Sequence, residues 1–306
     1  MKASAIPDAT GRPLTIPSKW WYNIPIYNAF LVTWVGVTLA ASGCRGLPSR
    51  QGPPVAAALA PTASLEEVIT VVNRNNSQIR SFSTNSATLS SPGMPRLRAT
   101  IAVERPRQFR LRAETGLTGP EIDLGSNPEV FWFWVRRNEP RGLYYCSHDI
   151  YAQTPVPMPI PISPEWLIEA FGVTELDPAL AYQGPFRRGD GRVELRAVRE
   201  TPRGPATNLT VIDPQYGLIV EQHVYDAQGS HVASALASRY RRDPLSGLMM
   251  PRTVNVRCPR AEFAMEVDLG NFTINQLPPD ADRLWAMPRF DGYPEVNLAS
   301  LATRRE

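Results

Sequence analysis

The stretch Thr100-Ile101-Ala102-Val103-Glu104-Arg105-Pro106-Arg107-Gln108-Phe109-Arg110-Leu111-Arg112 decides the fold. Read with the residues just before it, it alternates: Leu97, Ala99, Ile101 and Val103 point one way, while Arg96, Arg98, Thr100 and Glu104 point the other. A period of two marks a half-buried strand. Beyond the Arg105-Pro106 step the pattern repeats, with Phe109, Leu111 and Ala113 set against Gln108, Arg110 and Arg112. Two strands therefore pair antiparallel across a short proline turn, with one apolar face and one wet face.

Downstream, Ile122 to Leu124 continues the series, and Val130 to Val135 carries Phe131, Trp132, Phe133 and Trp134. Aromatic groups on both faces mean that this strand is covered on both sides or lines a cavity on one. Leu143 to Cys146 is a short strand, and the proline-rich segment from Gln153 to Ile162 has no ladder capacity. Ser163-Pro164-Glu165 starts a helix, with proline at the first helical position and an acid in the first turn. It carries Trp166, Leu167, Ala170 and Phe171 and ends at Gly172.

Strands then resume at Val193, Leu209, Leu218, Val232, Met250 and Ala261, separated by turns such as Asp213-Pro214-Gln215-Tyr216-Gly217. Short turns make the pairing antiparallel and mostly sequential. The fold class is α+β, mainly antiparallel β: a strongly curved, half-open β-barrel of about eleven strands enclosing or lidded by two helices, since a single sheet that wide must curl to bury its apolar face.

Upstream, Ser64 and Glu67 form a capping box ahead of a helix from Leu65 to Asn75, whose apolar face is Leu65, Val68, Ile69 and Val72. From Arg45 to Thr62 the chain is Pro, Ala, Gly and Arg without periodicity, which reads as a tether. Before it, an apolar run from Phe30 to Ala41 ends in Leu39-Ala40-Ala41-Ser42-Gly43-Cys44. The run falls short of the roughly 20 residues of a bilayer span, which favours a cleaved signal. The alternative is a retained helix that reaches back through Trp20, Trp21, Ile24, Ile26 and Tyr27 at the cost of including Asn23, Pro25 and Asn28. Small residues before a cysteine resemble the lipobox of bacterial lipoprotein signal peptides, which implies removal of residues 1–43 and a lipidated Cys44. The parts are then 1–43 leader, 44–63 tether, 64–290 folded domain and 291–306 C-terminal tail.

Removing Lys2, Arg12, Lys19 and Asp8 with the leader leaves 29 basic residues against 28 acidic ones, from 32 and 29. So even a balance argues against a nucleic-acid partner, which calls for a basic stripe. With Cys44 lipidated, Cys146 and Cys258 remain as either a disulfide, available in an exported protein, or two separate buried thiols. His148, His223 and His231 show no metal-ligand spacing, and the chain carries no nucleophile-elbow motif. Neither a metal, a cofactor nor an enzymatic activity is expected.

The helix from Leu65, the Thr100–Arg112 stretch, Asp123-Leu124-Gly125-Ser126-Asn127 before an aromatic strand, and Ile212-Asp213-Pro214-Gln215-Tyr216-Gly217-Leu218-Ile219-Val220 resemble the LolA/LolB-like lipoprotein-localisation superfamily. The resemblance covers about Ser64 to Leu277 and implies a curved sheet around an apolar cavity that binds acyl chains or another lipid without catalysis. Candidate lining residues are Leu97, Ile101, Phe109, Leu111, Trp132 and Trp134. The expected protein is a lipid-anchored envelope lipoprotein, facing the periplasm from the outer membrane, that binds a hydrophobic ligand in lipid or lipoprotein transport. The alternative is a non-catalytic structural or interaction lipoprotein, its core filled by its own helices and an envelope protein partner bound at an edge strand.

Overall fold

A computed structural model describes residues 56–156, 163–172 and 174–302, with a further two-residue pair, Ile6–Pro7 and Pro13–Leu14. Cys44, most of the expected tether and, apart from that pair, the expected leader lie outside the described residues. Helix α1 spans Leu65–Asn76 and starts as its capping box dictates: the Glu67 amide donates to Ser64 Oγ at 3.2 Å, and the Ser64 amide donates to Glu67 Oε2 at 2.7 Å. Its buried Val68 and Val72 pack with Leu59 and Ala63 against Val193, Leu195, Ile212 and Ile219. Just ahead of it, the Ala58 and Leu59 amides donate to the carbonyls of Gln215 and Pro214. The ordered body therefore begins before the expected boundary at Ser64.

Fifteen strands form one sheet. They are β1 Ser81–Ser90, β2 Leu97–Glu104, β3 Gln108–Thr115, β4 Gly119–Ser126, β5 Val130–Val135, β6 Leu143–Ser147, β7 Tyr182–Arg187, β8 Val193–Arg199, β9 Ala206–Asp213, β10 Leu218–Tyr225, β11 His231–Ser238, β12 Thr253–Cys258, β13 Phe263–Asp268, β14 Thr273–Ile274 and β15 Glu295–Asn297. Their order is β15-β6-β5-β4-β3-β2-β1-β13-β12-β11-β10-β9-β8-β7, with β14 paired to β1. Strand β1 is thus the seam between two runs of sequential hairpins. It bulges between Thr84 and Ala87, and further bulges interrupt β3–β4, β9–β10 and β10–β11. Each bulge bends and twists its strand, so the sheet curls without closing on itself.

The extra strands over the eleven expected come from segments without clean alternation. β1 is rich in Ser, Thr and Asn, β7 contains Gly184 and Pro185, and β14 and β15 are two and three residues long. β15 runs parallel to β6 and leads into α5, Leu298–Ala302, whose Leu298 and Leu301 are buried against Phe131, Tyr144 and Cys146. The tail expected beyond residue 290 is part of the fold. Short helices α2, His148–Gln153, and α3, Pro164–Glu169, lie between the two runs of strands, and α4, Ala281–Leu284, precedes β15. No helix among the described residues is long and apolar enough to cross a membrane.

Candidate functional site

The inner face of the curl is set by register. Leu97 stands opposite Leu89, Ile101 opposite Leu111 and Thr84, and Val103 opposite Phe109 and Phe82, so one face of β1, β2 and β3 is apolar except at Thr84, whose hydroxyl donates to the Leu269 carbonyl at 2.8 Å. Across the seam, Val254 and Val256 of β12 and Met265 and Val267 of β13 join the same cluster. Four of the expected lining residues, Leu97, Ile101, Phe109 and Leu111, lie together here, each no more than 3% exposed. What covers them is α3 and the turn after it. Ser163 caps α3, its Oγ accepting from the Trp166 amide at 3.0 Å, and the helix stops at Glu169 rather than Gly172. Trp166, Ile168, Ala170 and Phe171 are buried against the sheet, with the Phe171 ring 5.5 Å from Phe82 and 6.3 Å from Phe109. A helix of six residues has little stability of its own and holds its place by this packing. It acts as a plug.

Beside the plug the inner face changes character. A pocket of about 20 Å³, large enough for about one water molecule, lies among Trp166, Glu169, Tyr182, Arg199, Asn208, Thr210 and Gln222. Gln222 Nε2 donates to the Glu169 carbonyl at 2.7 Å, and Arg199 Nη1 donates to Glu169 Oε1 at 3.2 Å. The plug's last turn is therefore tied to β10 through its backbone and to β8 through its carboxylate.

No protein-family model matches the sequence, and a search of curated proteins returns no match. Among solved structures, the chain is similar to a LolA superfamily protein from Nitrosomonas europaea, at 9% identity and TM-score 0.47 over 74% of this chain and 99% of that one. It is also similar to a putative outer membrane lipoprotein-sorting protein domain from Vibrio parahaemolyticus, at 9% identity and TM-score 0.48 over 73% and 100%. A DUF1329 family protein from Desulfovibrio piger follows, at 14% identity and TM-score 0.46 over 72% and 97%. The likeness is one of fold. At such identities no residue carries across, and the site is described from this chain's own side chains.

Trp132 and Trp134 do share a face, but not the inner one. Trp132 stands opposite Gly125 and Trp134 opposite Asp123, which alternate with Leu124 and Ser126 of the inner face. Both tryptophans are covered on the outer face by the segment after α4: Trp134 stacks on Phe290 at 4.0 Å and meets Tyr293 edge-on at 5.1 Å. The same segment buries Arg110, on a face expected to be wet. Arg110 Nη2 donates to Asp123 Oδ2 at 2.6 Å, Nη1 donates to the carbonyls of Leu284 and Ala286, and the guanidinium lies 5.1 Å from the Trp132 ring centre. This strap of chain from Leu284 to Tyr293 thus encloses a buried ion pair.

Cys146 and Cys258 are separate buried thiols, so the disulfide alternative is not realised. They lie on β6 and β12 in different apolar clusters, and burial pushes the Cys258 thiol up to about 12 and raises that of Cys146. Among the described residues no cluster of His, Cys, Asp and Glu is placed to hold a metal ion. His223 lies 3.1 Å from Glu221 and near His231 and Tyr225 on the outer face, and the serine opposite it, Ser234, is buried.

His148 makes the contact that sequence spacing missed. Its Nε2 lies 3.1 Å from Ser126 Oγ and 3.0 Å from the Asn127 carbonyl, while Nδ1 lies 3.0 Å from Glu165 Oε1, off the N–H axis. Ser126 is 1% exposed, so this chain of contacts offers no open nucleophile. It instead ties the first turn of α3 to the sheet. Burial works to raise the Glu165 carboxyl, but the His148 contact, its own backbone amide and nearby Arg107 together hold it below the ordinary glutamate range. A carboxyl depressed on folding stabilises while ionised, and that contribution is lost as pH falls through its folded pKa. Acidification from pH 7 to below about 4 is expected to loosen α3, read as a red shift of tryptophan emission that is lost in Trp166→Phe. Glu165→Gln should remove that step, and an unchanged titration in the variant would refute the role.

Proposed function

We propose that the chain is a non-catalytic cell-envelope protein that takes up a hydrophobic ligand, such as acyl chains, on the inner face of its curved sheet. The supporting observation is that this mostly apolar face is covered at Phe82 and Phe109 by Phe171, in the turn after the six-residue helix α3. Lifting α3 and the turn after it would uncover Phe82, Ile101, Phe109 and Leu111, and each fully buried side chain of this size contributes about 1.5–3 kcal/mol when an apolar partner replaces water. A lipidated Cys44 would hold the body at a membrane, the outer one facing the periplasm, as the lipobox-like stretch suggests, and transport of lipid or lipoprotein is the role that fits both features.

The small pocket supports a second reading, in which the interior stays filled and the chain serves as a structural or interaction module. Titration of the full-length protein with a neutral apolar fluorophore, N-phenyl-1-naphthylamine, separates the two. Saturable binding is expected in the wild type and several-fold stronger binding in Ile168→Ala, with circular dichroism confirming that the variant is folded. If both proteins fail to bind the probe, the filled-core reading stands.

A further inference from the structure

The plug is itself an amphiphile. Trp166, Ile168 and Phe171 occupy the apolar cluster, while Glu169 between them carries its carboxylate to Arg199. The sheet beneath is divided in the same way. Strands β1, β2, β3, β12 and β13 present mostly aliphatic and aromatic side chains inward, whereas β8, β9 and β10 place Arg199, Asn208, Thr210 and Gln222 around the pocket beside the plug. Asn208 and Thr210 make no side-chain hydrogen bond to another described residue, and Trp166 belongs to both the apolar cluster and the pocket wall. The neighbouring acid, Glu175, is engaged by Arg105, so it does not neutralise Arg199.

We propose that this polar end is a headgroup subsite for an anionic amphiphile, with Arg199 as its counter-cation and Glu169 occupying the place of the head in the closed form. The proposal rests on the reading that the inner face accepts a hydrophobic ligand. When α3 lifts, Glu169 leaves with it and Arg199 loses its carboxylate. A planar guanidinium with a fork of donors then selects a carboxylate or phosphate, and Asn208, Thr210 and Gln222 supply neutral hydrogen bonds around it. The carboxylate of a fatty acid and the phosphate of a phospholipid share this chemistry.

The test is displacement of the neutral fluorophore from full-length, delipidated protein by three competitors: palmitate, hexadecanol of equal chain length, and dipalmitoyl phosphatidylglycerol. The wild type is expected to prefer palmitate over hexadecanol by at least about tenfold, the low end of what a hydrogen bond to a charged group contributes. Arg199→Gln is expected to bring palmitate down to the affinity of hexadecanol. Stronger displacement by phosphatidylglycerol than by palmitate assigns the head to a phospholipid, and the reverse assigns it to a free fatty acid. Equal affinity for palmitate and hexadecanol in the wild type, or a preference that survives Arg199→Gln, overturns the subsite while leaving the hydrophobic site standing. Failure of the fluorophore to bind at all removes the underlying reading instead.

Discussion

Asp123→Ala is expected to lower stability by about 3–5 kcal/mol, because it strands a buried guanidinium without its carboxylate. Asp123 is 2% exposed, and it accepts from Arg110 Nη2 at 2.6 Å and from Trp132 Nε1 at 3.2 Å. Arg110 cannot turn outward to water, since its Nη1 is committed to the carbonyls of Leu284 and Ala286 under the strap. Urea denaturation at unchanged m-value measures the loss. The double variant Arg110→Met, Asp123→Leu should recover part of it, because an apolar pair leaves no buried charge, and the remaining deficit reports the strap's two lost carbonyl bonds. A double variant as unstable as Asp123→Ala would show that the charge is not what matters there.

Gly125→Ala carries the second large effect, although it adds a single methyl group. A Cβ at Gly125 would sit 2.1 Å from Trp132 Cζ2 and 2.4 Å from Cε2, because the indole lies flat across that glycine. The ring cannot slide aside without giving up its bond to Asp123 and its place beside Arg110. Overpacking of this kind costs about 1–3 kcal/mol, and loss of the indole's bond to a buried carboxylate adds about 1.5–3 kcal/mol. Pairing Gly125→Ala with Trp132→Leu should be less destabilising than the sum of the two single changes, a coupling that thermal or urea unfolding would measure. Strict additivity would mean that the two residues do not interfere.

Local signals in the sequence carried over well because their causes are local. The capping box at Ser64 and Glu67 forms as spelled, and the Thr100–Arg112 hairpin pairs Ile101 with Leu111 and Val103 with Phe109, as alternation requires. Strand β1 escaped because its inward residues Phe82, Thr84, Ala87 and Leu89 straddle a bulge, which breaks the period of two, and because Ser and Thr fill the rest. Alternation also shows which residues share a face but not what covers that face. Arg110 and the two tryptophans of β5 are buried by a segment more than a hundred residues downstream, a contact that no local pattern encodes. The polar half of the candidate site was hidden for the same reason: Arg199, Gln222 and Glu169 meet only once β8, β10 and α3 are assembled.

The two ends of the sheet are finished differently from its middle. At one end β7 sets Gly184 and Pro185 within a six-residue strand, and proline offers no amide to a newcomer. At the other end β15 has three residues and is followed at once by α5. A sheet this wide would otherwise present long rows of unpaired donors and acceptors, an invitation to end-to-end polymerisation wherever copies crowd together. With both ends finished in this way, such a protein could be concentrated on a surface without its sheets growing into one another.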